Sequence, residues 1–317
     1  MSLLDRLVSS DVLMIDRPVD FDHFRSIERL ADARSIPLEL KGFDASFAGV
    51  TLGSTSVYMQ RTFPRILQAN YRTRGIMIAF AMDDAAEVTV NGRRVQQPAV
   101  LVLRGSSACE LVEPRANHFG FINFDAADGR GWPGEPGRAQ LFQTRAAELN
   151  ALRAITRDVL ALASDFSAFA MPDMIGNLSE SVLQAVDRVM HAVPAVDEPR
   201  ANLTQYLALV RKLDEYMAFN ISRTLYSADI ASELGVSVRT LHNAVTAIRG
   251  MSLHRYARLK RLWSVRQRLM QGPSATTIKS IALANGFWHM GEFGSLYRAT
   301  FGETPQQTLD AVRDRRS

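Results

Sequence analysis

Ile230-Ala231-Ser232-Glu233-Leu234-Gly235-Val236-Ser237 and Ile281-Ala282-Leu283-Ala284-Asn285-Gly286-Phe287-Trp288 stand 51 residues apart in one chain. Both share Ile-Ala-x-x-x-Gly followed by an apolar residue, and each fits a helix-turn-helix. Small Ala231 or Ala282 lets the first helix lie close under the second, and Gly235 or Gly286 supplies the positive φ of the tight turn. Val236 and Phe287 anchor the corner as apolar turn residues. Ser237 is a natural N-cap, and Val238–Ile248 follows as a helix with Leu241, Val245 and Ile248 inward. Its outward face offers Arg239, Thr240, His242 and Asn243, donor-rich side chains suited to base edges in a major groove. In the second unit Met290–Phe301, preceded by His289, is the equivalent helix. It buries Phe293, Tyr297 and Phe301 and presents Gly291, Glu292, Ser295 and Arg298 outward.

Between the two corners runs Leu253–Met270, uninterrupted by Gly or Pro. Eighteen helical residues span about 27 Å. With the flanking turns, that length holds two reading helices near one duplex turn apart, roughly 34 Å, so that both enter successive major grooves from one chain. Its cations Arg255, Arg258, Lys260, Arg261, Arg266 and Arg268 divide between phosphate-facing and ordinary solvated positions that sequence does not separate. Charge points the same way. Residues 200–317 carry 17 Lys and Arg against 8 Asp and Glu, whereas residues 1–199 carry 20 against 25. An acidic first part joined to a basic last third fits either a polyanionic partner or a solvated basic surface.

The 317 residues are 47% apolar and 22% charged, a globular composition long enough for two domains. No apolar run approaches the roughly 20 residues of a membrane span, so no membrane role is expected. Asp5, Arg6 and Asp11 interrupt any signal-peptide core in the first eleven residues. The single cysteine, Cys109, leaves no partner for an intramolecular disulfide, and a reducing cytoplasm is expected.

Toward the N-terminus a helical stretch is expected around Asp20–Ala33. From about Ser35 to Asp125 come short runs rich in Val, Ile, Phe and Thr: Ser56–Met59, Gly75–Ala81, Glu87–Val90, Ala99–Leu103 and His118–Asn123. Asn91-Gly92 between alternating residues reads as a type I′ hairpin, and the set predicts an antiparallel sandwich or barrel. Gly129–Gly137 reads as a loop. Helical periodicity follows over Ala139–Leu162 and Pro172–Val193, and the apolar stripe of the second fits an intrachain core or a helix–helix dimer surface. Pro194–Pro199, where the charge changes sign, is the expected linker.

Residues about 203–312 resemble the AraC/XylS family of bacterial transcription regulators. The matching positions are Asp229-Ile230-Ala231, Gly235-Val236-Ser237, Arg239-Thr240-Leu241, Gly250-Met251-Ser252, Tyr256 and Ile281–Phe287, with Phe293, Tyr297, Phe301-Gly302 and Thr304-Pro305. Gln307 completes a capping box with Thr304 ahead of a final helix. The phrase Gly286–Phe293 is similar to the branch that includes XylS-type and ethanolamine-operon-type regulators. Two positions depart from the family pattern: Val245 replaces a bulky aromatic, and Glu292 replaces a residue that is often basic. A carboxylate there repels phosphates yet can accept a hydrogen bond from cytosine N4.

The resemblance implies an α+β two-domain protein. Residues 1–195 form an antiparallel β-rich, cupin-like or barrel domain (core about 35–125, helices about 139–193) that senses an effector and dimerises. A linker over 196–202 leads to an all-α domain over 203–317, with two helix-turn-helix units joined by a long helix. It implies a cytoplasmic homodimer that binds double-stranded DNA, answers to a small molecule and activates transcription through RNA polymerase. A carboxylate-bearing effector would suit Arg61, Arg72 or Arg74, which lie in or beside expected strands. Two alternatives remain: an N-terminal domain that only dimerises or binds a protein partner, and a metal-dependent cupin enzyme. Against the enzyme, His118 is the lone histidine between Ser35 and Asp125, Cys109 has no histidine near it in sequence, and Gly-rich phosphate loops are absent. No catalytic residue, metal or cofactor is therefore expected.

Overall fold

The computed structural model describes residues 2–27, 32–125, 130–165, 173–192, 201–220, 226–271 and 277–314. The chain divides into two compact units. Met1–Ser35, Phe43–Val90 and Arg94–Glu198 form the first; Ile36–Gly42, Asn91–Arg93 and Pro199–Ser317 form the second.

The first unit is built on a ten-stranded sheet. Its strands are β1 (Leu13–Asp16), β2 (Asp32–Pro37), β3 (Ser46–Leu52), β4 (Thr55–Arg61), β5 (Arg65–Ala81), β6 (Thr89–Val90), β7 (Arg93–Arg94), β8 (Ala99–Glu113), β9 (His118–Phe124) and β10 (Pro136–Gln143). They neighbour one another in the order β1-β3-β4-β9-β5-β8-β6-β7, with β10 also on β8 and β2 on β5. Helices α1 (Leu3–Arg6) and α2 (Phe21–Ile27) precede most of the sheet; α3 (Ala146–Ser164) and α4 (Met174–His191) follow it. The long strands β5 and β8 pair antiparallel from Arg65 opposite Glu113 to Phe80 opposite Val100, with a register shift between Arg72 and Ile76. Such a bulge bends the strand that carries the extra residues, here β5. Gly75 sits in it because a Cβ there would lie 2.1 Å from the carbonyl oxygen of Phe124.

Alternation along these strands makes two cores. Ile76, Ile78 and Phe80 of β5, Val100 and Val102 of β8, and Ile122 and Phe124 of β9 pack with Leu149, Leu152 and Val159 of α3 and Val182, Val186 and Val189 of α4. The intervening Met77, Ala79, Leu101, Leu103 and Phe121 face a second, smaller core with Leu67, Tyr71 and Val90. Side chains two apart share a face of a strand, so each strand serves both cores. Burying one such aliphatic side chain contributes about 1.5–3 kcal/mol, and the helix-facing core is the larger.

The sequence expectations need two corrections here. Among the described residues, the helix expected over Asp20–Ala33 is Phe21–Ile27, and Asp32–Pro37 is a strand paired with β5. Pairing with β5 overrides the weak local helical preference of Asp32-Ala33. Leu141 and Phe142, expected on a helix, lie in β10, whose Ala139–Gln143 runs against Leu103–Ala99. A short apolar run is ambiguous by periodicity, and the ladder to β8 decides it. The helix begins only at Ala146. The stripe of α4 is resolved as well: Leu178, Val182, Ala185, Val186, Val189 and Met190 are buried in the intrachain core. The hairpin stands as expected, with φ of 50° at Asn91 and 79° at Gly92. Pro172 and the Pro194–Pro199 linker lie outside the described residues.

The second unit contains α5 (Ala201–Asn220), α6 (Ser227–Glu233), α7 (Val238–Arg249), α8 (Leu253–Met270), α9 (Ile278–Ala284), α10 (Met290–Phe301) and α11 (Pro305–Asp314). Two short helices, α6 and α9, each turn sharply into a longer one, and α8 joins the two pairs. This is the helical arrangement that the sequence implies. Among the described residues no helix is long and apolar enough to cross a membrane.

Candidate functional site

Both corners form by the local devices read in the sequence. Gly235 has φ +66° and Gly286 φ +79°, and the N–H groups of Val236 and Phe287 donate to the carbonyls of Ala231 and Ala282 at 2.9 and 3.0 Å. Ala231 and Ala282 are buried beneath them. Ser237 caps α7, its Oγ accepting from Thr240 N at 3.0 Å, and Thr277 caps α9 by accepting from Ser280 N at 3.1 Å. Each cap satisfies an N–H that has no intrahelical partner.

The helices that follow differ in what they present. On α7, Leu241, Ala244, Val245 and Ile248 are buried, while Arg239 and Asn243 are exposed. Neither Arg239 nor Asn243 is held by another described residue. Thr240 and His242 are only half-exposed: the Thr240 hydroxyl lies 2.8 Å from Ser237 Oγ, and His242 Nε2 lies 3.4 Å from Ser227 Oγ. On α10, Phe293, Tyr297 and Phe301 are buried. Gly291, Glu292, Ser295 and Arg298 are exposed, as is His289 before the helix, while Met290 is half-buried. Ser295 turns its hydroxyl back to the Gly291 carbonyl at 3.0 Å.

An open groove lies between α8 and the start of α10. Arg255, Arg258 and Arg261 line one side with His254; Trp288, His289 and Glu292 line the other. The His254 ring is 6.1 Å from that of His242 on α7. Arg255 and Arg258 are exposed and, among the described residues, unpaired with any carboxylate. Trp288 is 68% exposed. The other cations of α8 have different duties. Lys260 and Arg266 are buried against Asp214 at 3.1 Å and Glu303 at 3.2 Å, so they are structural and do not face phosphates.

Sequence reasoning missed the group behind α7. Asp214 of α5 receives Arg249 at 2.8 Å, Lys260 and the Tyr256 hydroxyl. Arg249 and Tyr256 are fully buried. Burial alone would raise the Asp214 carboxyl, but Lys260 and Arg249 outweigh it and hold it below the usual carboxylate range. Burial, then the Asp214 charge, pushes the Tyr256 hydroxyl well up.

The first unit holds a small, largely apolar cavity beside its smaller core. Leu67, Ala79, Leu101, Leu103, Phe119 and Phe121 form its apolar wall. Its polar lining is Arg65, Glu113, Tyr71 and Gln97. None of the three arginines proposed from sequence lines it. Arg61 is paired with Asp5 and Asp44, Arg72 is exposed 3.7 Å from Asp32, and Arg74 is exposed. Period-two counting would have found Arg65, since Arg65, Leu67, Ala69 and Tyr71 share one face of β5. His118 is half-buried 4.0 Å from Asp83, and Cys109 is buried. Among the described residues no cluster of three or more His, Cys, Asp or Glu is arranged to hold a metal.

Residues 230–311 match a family model described as a helix-turn-helix domain. The XylDLEGF operon transcriptional activator of Pseudomonas putida is 35% identical over 97 residues, 30% of this chain and 30% of that protein. A probable thc operon regulatory protein of Rhodococcus erythropolis is 30% identical over 105 residues, 33% of this chain and 32% of that protein. The chain thus matches about a third of the length of these curated relatives. A crystal structure of a probable AraC family transcriptional regulator from Rhodopseudomonas palustris CGA009 is 32% identical, covering 33% of this chain and 97% of that one, with a TM-score of 0.31.

Proposed function

Because the helix-turn-helix region of this chain belongs to the AraC/XylS family of DNA-binding transcription regulators, we propose that α7 and α10 enter successive major grooves of one duplex. The observation that supports this most is the repeated corner: two glycine turns of one geometry, joined by an 18-residue helix of about 27 Å. In this reading Arg239 and Asn243 contact base edges, with Ser237, Thr240 and His242 beside them. His289, Met290, Gly291, Glu292, Ser295 and Arg298 form the second contact. Arg255 and Arg258 meet the phosphates between the two grooves, where their charge acts on any sequence.

Residues 1–195 act in this proposal as a sensing and dimerising domain, and the cavity supports the sensing role. Apolar walls with a few polar groups are the usual make-up of a small-molecule site. A bound effector changes DNA occupancy only by favouring one arrangement of the protein over another. Activation, recruitment of RNA polymerase, a homodimer and a cytoplasmic setting complete the proposal, and rest on the family.

Selection of duplexes by the full-length protein from a random pool tests the DNA reading. Paired half-sites about 10 bp apart, centre to centre, are expected; recovery of unrelated sequences would overturn it. For the sensing role, a library of small aromatic and aliphatic compounds should contain members that raise the melting temperature and change operator affinity. A library without effect would favour an N-terminal domain that only dimerises or binds a protein.

A further inference from the structure

The cavity of the first unit is charge-balanced from within. Arg65 and Glu113 face each other across β5 and β8, their side chains 2.8 Å apart and 3% and 0% exposed. The pair is further held on both sides. Arg65 Nη1 donates to Ser35 Oγ, and its guanidinium lies 5.6 and 5.4 Å from the rings of Phe24 and Phe63. Glu113 accepts from the Thr62 hydroxyl and from Asn117 Nδ2 at 3.2 Å. Among the described residues Arg65 is the only cationic side chain in the lining, and Glu113 the only anionic one.

We infer that this cavity selects uncharged, largely apolar ligands and rejects carboxylates of the same shape. The inference rests on the effector site proposed above and adds the class of molecule that the site takes. A carboxylate entering here meets an arginine whose charge is already matched. It would share that cation with Glu113 and bury two anions against one cation, where like charges and lost hydration both act against it. A neutral aromatic molecule needs no counter-charge. It replaces water against Leu67, Leu101, Leu103, Phe119 and Phe121, and a hydroxyl on it has Tyr71 and Gln97 within the lining. The three arginines outside the cavity offer no alternative cation to an acid bound inside it.

The test compares naphthalenemethanol with naphthoate on the full-length protein, by calorimetric titration and melting temperature. Binding of the alcohol at least about tenfold tighter than the acid supports the inference. So does a melting temperature raised by about 5 °C at a hundredfold excess of alcohol over its Kd. Equal or tighter binding of naphthoate overturns the charge selectivity but leaves the effector site standing. Binding of neither overturns the inference and leaves the effector site to be decided by the compound library. Leu101→Trp fills the cavity and should abolish binding of the alcohol; unchanged affinity in that variant would put the ligand elsewhere and sink the inference. Glu113→Gln leaves Arg65 uncompensated and should narrow or reverse the preference for the alcohol. If that variant does not fold, the wild-type comparison and Leu101→Trp still decide.

Discussion

The corner at Gly235 and the corner at Gly286 turn on the same backbone device, yet opposite chemistry holds them from behind. Small aliphatic side chains of α7 back the first: Ala244, Val245 and Ile248, with a buried ionic group centred on Asp214 alongside. Aromatic packing backs the second. Phe287 and Phe293 lie 5.1 Å apart, Phe293 and Tyr297 5.7 Å, Tyr297 and Phe301 4.5 Å, and Trp263 and Phe301 4.9 Å. Their exposed faces contrast too. The first offers Arg239 and Asn243, both free to donate, whereas the second offers Gly291, Ser295 and the carboxylate of Glu292, with Arg298 a turn and a half further on. A turn restricts only the few residues that make it, and leaves both the support behind and the surface in front free to differ. Val245, where the resembled family has a bulky aromatic, is fully buried in this aliphatic backing.

The largest effect should come from breaking the ionic support. Asp214→Ala leaves Arg249 and Lys260 buried without their carboxylate, and is expected to cost about 3–5 kcal/mol in urea unfolding of the second unit. A loss below about 1 kcal/mol would mean that the first corner does not depend on it. The same carboxylate sets an acid limit. Its native pKa lies below the unfolded value of about 3.9, so its stabilisation is present above that pH and fades as pH falls through the lowered native value. Asp214→Asn should therefore flatten the dependence of stability on pH below about 4, measured by circular dichroism.

Next in size is the difference in reading chemistry. Arg239→Ala should weaken specific DNA binding by about 1–3 kcal/mol with little change on random DNA. Ser295→Ala on the second helix should change it by less than about 0.5 kcal/mol, because its hydroxyl is already turned to Gly291. Equal losses on specific and random duplexes would instead make Arg239 a phosphate contact. The caps come third: Ser237→Ala and Thr277→Ala should each cost about 1 kcal/mol of unfolding free energy. A much larger loss at Ser237 would show that cap and base contact are coupled. Smallest is Glu292→Gln, which removes a negative charge from the arginine-lined groove. It should tighten specific and random DNA alike by about 0.5 kcal/mol at low salt. A loss confined to one base position would show that the carboxylate reads cytosine.

Much of the DNA-facing site is legible in the order of residues. Ile230–Ser237 and Ile281–Phe287 encode their corners with neighbours in sequence, and Leu253–Met270 forms one helix with the bounds that its pattern implies. The cap at Ser237 and the capping box of Thr304 and Gln307 follow the same logic. Less legible is which cations face outward. Lys260 and Arg266 sit among exposed arginines in sequence, and only Asp214, 46 residues before Lys260, and Glu303 draw them inward. The second half of β10 reads as helix because Leu141-Phe142 is too short to reveal its period, and its partner β8 is some 40 residues away. Arg61, Arg72 and Arg74 are plausible ligand contacts by position on strands, but the inside of a rolled sheet depends on register across it.

From local sequence alone come the two glycine corners, the helix that spaces them, the caps, the basic bias of the last third and the alternation of the strands. All of these arise from contacts within a few positions, where backbone geometry and side-chain chemistry act without help from distant chain. Other features required the folded chain: the anchoring of α7 by Asp214, the inward turn of Lys260 and Arg266, and the matching of Arg65 by Glu113 at the cavity wall. Charges far apart in sequence find each other only when burial removes water and makes an unmatched ion too costly to keep.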